Sequence, residues 1–247
     1  MKNKEIQKHI IAARKLNTIK DKAFKLIGER IGRISEYEVN AFIVSEFKKE
    51  GLVTEKEYPS QIAASGPNTS FVHYFPKRRG SRIIKKNNLV LIDVWAKLDE
   101  KDAPFADITW MGYTGKSAPG NVRKTFNLVI GARDAAIEFL KSNLRKKKLP
   151  GSKEMEDSAR NYFRKRGVEK HFLHGLGHSL SAARVHGAYF HFSRKSDSRL
   201  KTTIPFTIEP GLYFKNKFGV RSEINCYVDR HYHLIMTGKV QRKIVTL

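Results

Sequence analysis

An aspartate stands inside an apolar run that otherwise reads as a fully buried strand. Residues 88–96 are NLVLIDVWA, and Asp93 follows Leu89, Val90, Leu91 and Ile92 without a break. Burying an unpaired carboxylate costs several kcal/mol, so a fold that buries this strand must bring Asp93 a cation or a set of donors. A second acidic strand follows a charged turn: residues 105–110, FADITW, carry Asp107 and Thr109. Two strands joined by a turn can set Asp93 and Asp107 side by side. Like charges so placed repel unless a metal neutralises them. The alternative for either residue is that it caps the turn.

The same conflict recurs downstream. In residues 202–214, TTIPFTIEPGLYF, Ile204, Phe206 and Ile208 alternate as a strand, and Glu209, Pro210 and Gly211 turn the chain. Residues 218–229, FGVRSEINCYVD, read as one further strand with Glu223 amid apolar neighbours. Between the two acidic pairs lies His171–Gly187, HFLHGLGHSLSAARVHG, which holds four of the nine histidines: His171, His174, His178 and His186. Gly175 and Gly177 separate His174 from His178, and glycine permits close backbone approach. Neutral imidazole is a common metal ligand and a proton carrier near neutral pH. The bland alternative is a loop whose histidines satisfy local hydrogen bonds. The acidic partners elsewhere weigh against it. Four carboxylates and one histidine at strand or loop positions point to a shared metal centre. Such donor sets suit Mn²⁺, Fe²⁺, Co²⁺ or Zn²⁺. One ion does not need four carboxylates; two ions about 3.5–4 Å apart do.

The remaining segments read as scaffold. Residues 4–32 have a helical apolar stripe of Ile6, Ile10, Ile11, Phe24, Leu26, Ile27 and Ile31. Ser35 and Glu38 form a capping box for a second helix with Val39, Phe42, Ile43 and Phe47 on one face and Gly51 as its stop. In residues 61–76, QIAASGPNTSFVHYFP, a turn at Ser65–Asn68 precedes a short strand expected over Phe71–Phe75, which delivers His73. Taken alone, His73 reads as structural. Lys77–Arg82 is expected as an exposed loop or hairpin. Two more helices follow over 120–146 and 153–166, the first with Val122, Phe126, Val129, Ala132, Ala136, Phe139 and Leu140 inward. His233–Met236 and Ile244–Leu247 are expected as edge strands.

Composition narrows the class. The net charge is +24, from 48 Lys and Arg against 24 Asp and Glu. That charge attracts polyanions, but the lysines are scattered and aromatics do not alternate with the basic patches, so a solvated surface is the favoured reading over a nucleic-acid site. Cys226 is the only cysteine, which excludes an intramolecular disulfide. The N-terminus lacks the apolar core of a signal peptide, and no apolar run approaches the ~20 residues of a membrane helix. A cytoplasmic protein with no membrane partner is the expectation.

The order of the motifs resembles the pita-bread metallopeptidases (M24), which include methionine aminopeptidase, Xaa-Pro aminopeptidase, prolidase and creatinase. The family order is Asp, Asp-x-Thr, Gly-His, Glu-Pro-Gly and Arg-x-Glu. Here it runs Asp93, Asp107-Ile108-Thr109, Gly177-His178, Glu209-Pro210-Gly211 and Arg221-Ser222-Glu223. The resemblance implies Asp93, Asp107, His178, Glu209 and Glu223 as metal ligands, with Glu209 also the general base. It implies His73, His174 and His186 as catalytic and substrate-contacting groups, and Arg221 as a support of the substrate site. His-Gly-Leu-Gly-His and Glu-Pro-Gly-Leu-Tyr are closer to the Xaa-Pro aminopeptidase and prolidase branch.

The implied fold is α/β, a curved antiparallel sheet with helices on its outer face around a central dinuclear centre. The likeness covers essentially the whole chain, so residues 1–247 are read as one catalytic domain, helical over roughly residues 1–50, without a separate N-terminal creatinase-type domain. The implied function is removal of the N-terminal residue from peptides, chiefly at Xaa-Pro bonds, with two divalent ions, Mn²⁺ foremost. The alternatives are prolidase or methionine aminopeptidase activity, or a non-enzymatic member binding RNA, ribosome or another acidic partner. A homodimer is compatible with the resemblance. The chain departs from the pattern at several points. Asp93 and Asp107 are fourteen residues apart, wider than usual. Trp110 replaces an arginine, Ser179 and Ser181 replace glycines, and Gly187 and Ile224 stand where acidic residues are common.

Overall fold

The acidic hairpin is the middle of the largest sheet. In the computed structural model, which describes residue 1 and residues 3–55 and 61–247, Leu89–Leu98 (β3) pairs antiparallel with Ala106–Tyr113 (β4). The other edge of β3 pairs in tandem with Leu52–Val53 (β1) and Ile62–Ser65 (β2). Val245–Thr246 (β12) lies along the far edge of β4, parallel to it.

Period two divides the hairpin between two cores. Val90, Ile92, Val94 and Ala96 point to one side with Ala106 and Ile108. There they meet Asn3–Glu29 (α1) and Glu36–Lys49 (α2), and Trp110 packs partly buried against the same cluster. Leu89, Leu91 and Trp95 point to the other side with Met111 and Tyr113. Asp93, Asp107 and Thr109 share this second face, so the same alternation that buries the strand aims both aspartates inward.

The second face is closed by the C-terminal half. Gly120–Arg145 (α3) and Ser152–Arg164 (α4) pack on each other. The expected α3 stripe is buried except Phe139, which is half-buried. Short strands then form three small sheets. Gly177–His178 (β5) pairs with His191–Phe192 (β6), and Phe206–Ile208 (β7) pairs with Ile224–Val228 (β10). Gly211–Phe214 (β8) pairs with Phe218–Arg221 (β9), and Leu234–Met236 (β11) is the outer neighbour of β10. Helices thus cover the outside and strands the inside.

Two local expectations need correction. Phe71–Phe75 is not a strand: Gly66–Ser70 is a 3₁₀ turn and the following residues are irregular. The polar groups there turn to other elements, since the Val72 carbonyl accepts from Arg221 and the Tyr74 hydroxyl donates to Glu36. Residues 218–229 form two strands rather than one. The ladder breaks at Ser222–Glu223 because Ser222 N–H donates to Pro210 and Glu223 N–H donates to Thr109.

Candidate metal centre

The hairpin register supplies the first two carboxylates. Asp93 lies opposite Thr109 and Asp107 opposite Trp95, so the aspartates are diagonal neighbours on one face rather than a directly opposed pair. Asn225 on β10 fixes Asp107 from behind: its Oδ1 accepts from the Asp107 N–H at 2.9 Å and its Nδ2 donates to the Asp107 carbonyl at 2.7 Å. Thr109 Oγ1 donates to Glu223 Oε2 at 2.8 Å, and Glu223 N–H returns a bond to the Thr109 carbonyl at 3.2 Å. The break in the 218–229 strand therefore places Glu223 beside the two aspartates.

His178 and Glu209 come from the facing strands. His178 N–H donates to Thr207 Oγ1 at 3.1 Å, and that hydroxyl donates to Glu209 Oε1 at 3.2 Å. His178 Nε2 lies 3.3 Å from Glu209 Oε1 and 3.8 Å from Asp107 Oδ2. Gly177 makes this approach possible, since a Cβ there would stand 2.2 Å from the Thr207 carbonyl oxygen.

Donor atoms of Asp93, Asp107 and Glu223 lie within 4.8 Å of one another, as do those of His178, Glu209 and Glu223. Glu223 belongs to both groups. Asp93 Oδ1, Asp107 Oδ1 and Glu223 Oε1 are buried with no hydrogen-bond partner. Burial, then the charges of Glu223, Asp93 and Glu209, hold the Asp107 carboxyl well above its ordinary range. Glu223 is pushed up in the same way, by burial and then by Glu209 and Asp93. Burial raises Asp93 too, against the opposing charge of Arg221. Glu209 alone moves down, to about 2, because the hydrogen bond and charge of His178 outweigh its burial. Clustered carboxylates with unsatisfied buried oxygens fit hard divalent cations, and the donor set matches them.

Around this cluster is a cavity of about 1530 Å³ lined by His73, Trp95, His174, His186, Arg221 and the five candidate ligands, among others. Arg221 is the organiser of one wall. Its guanidinium pairs with Asp93, donates to Thr109 Oγ1 at 3.0 Å and reaches the Val72 carbonyl at 3.2 Å and Tyr213 hydroxyl at 3.1 Å. Tyr213 in turn lies 2.9 Å from His174 Nε2. The other His174 nitrogen, Nδ1, donates to the Gly175 carbonyl at 2.8 Å, and burial lowers the imidazole to about 4. His174 is therefore neutral near pH 7, and its Nε2 accepts a hydrogen bond from the Tyr213 hydroxyl. His186 is at the open side, its ring 4.9 Å from that of His178 and 6.3 Å from Trp95, which meets Phe75 edge-on at 6.4 Å. A donor atom of His186 also falls within 4.8 Å of donors from Asp107 and His178. His73 is exposed at the cavity wall. His171 packs on Phe214 instead, 4.3 Å between rings, outside the group that lines the cavity.

The sequence profile of metallopeptidase family M24 matches residues 11–230. The chain belongs to this family. Among M24 relatives, an uncharacterized peptidase of Methanocaldococcus jannaschii is 31% identical over 216 residues, 85% of this chain and 56% of that protein. An X-Pro aminopeptidase from Thermotoga maritima superposes with a TM-score of 0.81 at 25% identity, over 100% of this chain and 64% of that one. A prolidase from Thermococcus sibiricus gives 0.79 at 28% identity, over 100% and 62%. The chain thus spans a little over half to just under two thirds of the length of these relatives. They share the M24 pita-bread fold.

Sequence reasoning missed two residues that line the cavity, Trp95 and His191, and one buried behind it, Tyr213. Tyr213 lay in the quoted Glu-Pro-Gly-Leu-Tyr run without a role. Trp95 followed Asp93 at the strand period that shares its face, which was the available signal. His191 carried none. It stands opposite His178 in the β5–β6 ladder, and its ring covers Gly187, where a Cβ would lie 1.9 Å from the imidazole. Gly187 has φ +63°, a conformation that favours glycine, and the His191 ring occupies the space its side chain would need.

Proposed function

We propose that this M24 chain is a dinuclear aminopeptidase that releases the N-terminal residue from peptides with proline in second place. One observation carries the metal reading: Asp93, Asp107 and Glu223 bury unpartnered carboxylate oxygens in one cluster, and Glu223 links that cluster to His178 and Glu209. Two divalent ions held by these five residues, Mn²⁺ foremost with Co²⁺, Fe²⁺ or Zn²⁺ as alternatives, supply Lewis acidity toward the scissile carbonyl and lower the pKa of water.

The chain's own groups do the rest. Thr207 and His178 fix the Oε1 of Glu209 at the edge of the cluster, which places this carboxylate to serve as the proton acceptor. His73 and His186, on the open side of the cluster, hydrogen-bond the substrate carbonyl and pass a proton to the leaving amine. His174, kept neutral and oriented by Gly175 and Tyr213, contacts the substrate from the third side. Arg221 holds Asp93 in place and supports the substrate wall.

Proline in second place is supported by the corner of Phe75, Trp95 and His186, whose rings offer flat apolar faces beside the donor cluster. The cavity, about 1530 Å³, exceeds the 300–1,000 Å³ of ordinary small-molecule pockets, which favours peptides longer than two residues. The test is hydrolysis by apo protein reconstituted with each ion, on Xaa-Pro tripeptides, Xaa-Pro dipeptides and Met-Ala peptides. Release of the first residue from Xaa-Pro tripeptides is expected. Cleavage confined to dipeptides assigns a prolidase. No metal uptake and no cleavage with any ion would overturn the enzyme reading and leave the basic surface as the functional feature.

A further inference from the structure

We propose that Glu36 is a positioning residue for His73: from the first turn of α2 it anchors the loop that carries this histidine to the cavity wall. The inference rests on the reading of His73 as a substrate contact. Glu36 is 0% exposed. A buried carboxylate must be met by a cation or by donors. The donors here come from the last residue of β2 and the loop that follows it. Ser65 gives its N–H at 2.6 Å and its hydroxyl at 2.9 Å, both to Oε1. Asn68 Nδ2 reaches Oε1 at 3.1 Å and Oε2 at 2.9 Å, and the Tyr74 hydroxyl donates to Oε2 at 2.5 Å. The positive end of the α2 dipole adds to the stabilisation of the carboxylate.

These contacts bracket His73. Tyr74, the next residue, is tied to Glu36, and the carbonyl of Val72, the preceding residue, is tied to Arg221. His73 itself sits on irregular backbone and is exposed, so no helix or ladder fixes it. Its place is set by these two anchors, one reaching to the outer helix and one to the metal centre. The candidate metal ligands come from β3, β4, β5 and the turns after β7 and β9, none of which Glu36 touches through these bonds. Loss of the Glu36 charge should therefore move His73 and leave the ions in place. In Glu36→Gln an NH₂ replaces one oxygen, and whichever oxygen is lost, a donor faces a donor at Asn68 or Ser65.

The experiment uses the metal-loaded full chain with an Xaa-Pro tripeptide and compares Glu36→Gln, Tyr74→Phe, His73→Ala and Glu36→Gln/His73→Ala. Metal content and melting temperature are read alongside the kinetics, and the assigned His73 ring-proton NMR resonance is read on the chain loaded with diamagnetic Zn²⁺. Glu36→Gln should keep its metal, shift the His73 resonance and lose about tenfold in kcat/KM, the scale of a small misplacement of a reacting group. Added to His73→Ala, it should cost less than about twofold more, because the two changes remove one function. Losses that multiply in the double variant, or a His73 resonance unmoved in Glu36→Gln, would overturn the proposal. If Glu36→Gln does not fold, Tyr74→Phe decides by the same two criteria. If the wild type cleaves no peptide, the aminopeptidase reading fails by itself, and the His73 resonance still decides whether Glu36 positions it.

Discussion

At the residue scale, the centre is a place where the apo chain works against itself. Asp107 sits among Asp93, Glu209 and Glu223 with a buried oxygen that nothing satisfies. Asp107→Asn removes one of the mutually repelling charges and adds a donor. Without metal, the variant should melt no lower than wild type at pH 7, and higher if repulsion dominates. With metal, it should lose the ligand-induced rise in melting temperature and fall at least about a hundredfold in peptide turnover. Melting curves with Mn²⁺ and with chelator separate the two effects; a variant that melts several degrees lower in chelator would contradict the repulsion argument. Gly177 shows the opposite kind of constraint, one of space. An alanine Cβ would meet the Thr207 carbonyl oxygen at 2.2 Å, and backbone on both sides prevents an easy retreat. Gly177→Ala should destabilise by about 1–3 kcal/mol, measured by denaturant unfolding, and displace His178 from Glu209.

At the element scale, α1 is fastened by a buried histidine. His9 Nδ1 donates to the Phe105 carbonyl at 2.7 Å and Nε2 accepts from the Thr237 hydroxyl at 2.9 Å, joining the helix to the start of β4 and to the C-terminal segment. Burial lowers this imidazole from 6.5 to about 4. Between those values the unfolded chain binds the proton and the folded chain does not. Stability from His9 is thus intact above pH 6.5 and is lost as pH falls toward 4, by about 3 kcal/mol. His9→Gln can make both bonds without titrating, so the stability difference between wild type and variant should drift by that amount from pH 7.5 to pH 4. No drift would refute the buried-clamp account. Clamps of this kind explain what was legible in the sequence. The hairpin, α3, α4 and the capped α2 were readable because period and caps are local signals, and Ser35 and Glu38 do exchange their bonds as the capping box requires. Asp93, Asp107, Glu209 and Glu223 stood out one by one because their acidic types conflict with apolar surroundings, and only the resemblance in motif order joined them with His178 as a set. The form of 71–75 and the break at Ser222 were not, since both are decided by distant partners: Arg221, Glu36, Pro210 and Thr109. Arg133 was hidden for the same reason. Its helix stripe gives no hint that a fully buried guanidinium donates to Ser222 Oγ and the Gln241 carbonyl, each at 2.9 Å, behind the Arg221–Glu223 turn.

At the scale of the whole molecule, charge and metal act together. Cations outnumber anions 48 to 24, so the folded chain repels itself, and monovalent salt should raise its melting temperature in the presence of chelator. The proposed ions would address the opposite excess, which is local. Their candidate ligands run from Asp93 to Glu223 and come from β3, β4, β5 and the turns after β7 and β9, so loading the centre would tie the hairpin to the C-terminal sheets. Binding to the folded chain alone stabilises it by about 2.7 kcal/mol when free metal is a hundred times Kd. The shared position of Glu223 makes the stoichiometry diagnostic. Asp93 belongs to one donor group and His178 to another, so Asp93→Asn or His178→Ala should each leave one ion of two. Glu223→Gln, which strips a ligand from both groups, should weaken both ions and abolish most of the metal-dependent stabilisation. Metal content after dialysis, read beside the melting shift, checks this order. A wild type that saturates at one ion, with Asp93→Asn still holding it, would show that the His178–Glu209 group is the whole centre and that the hairpin aspartates serve Arg221 instead.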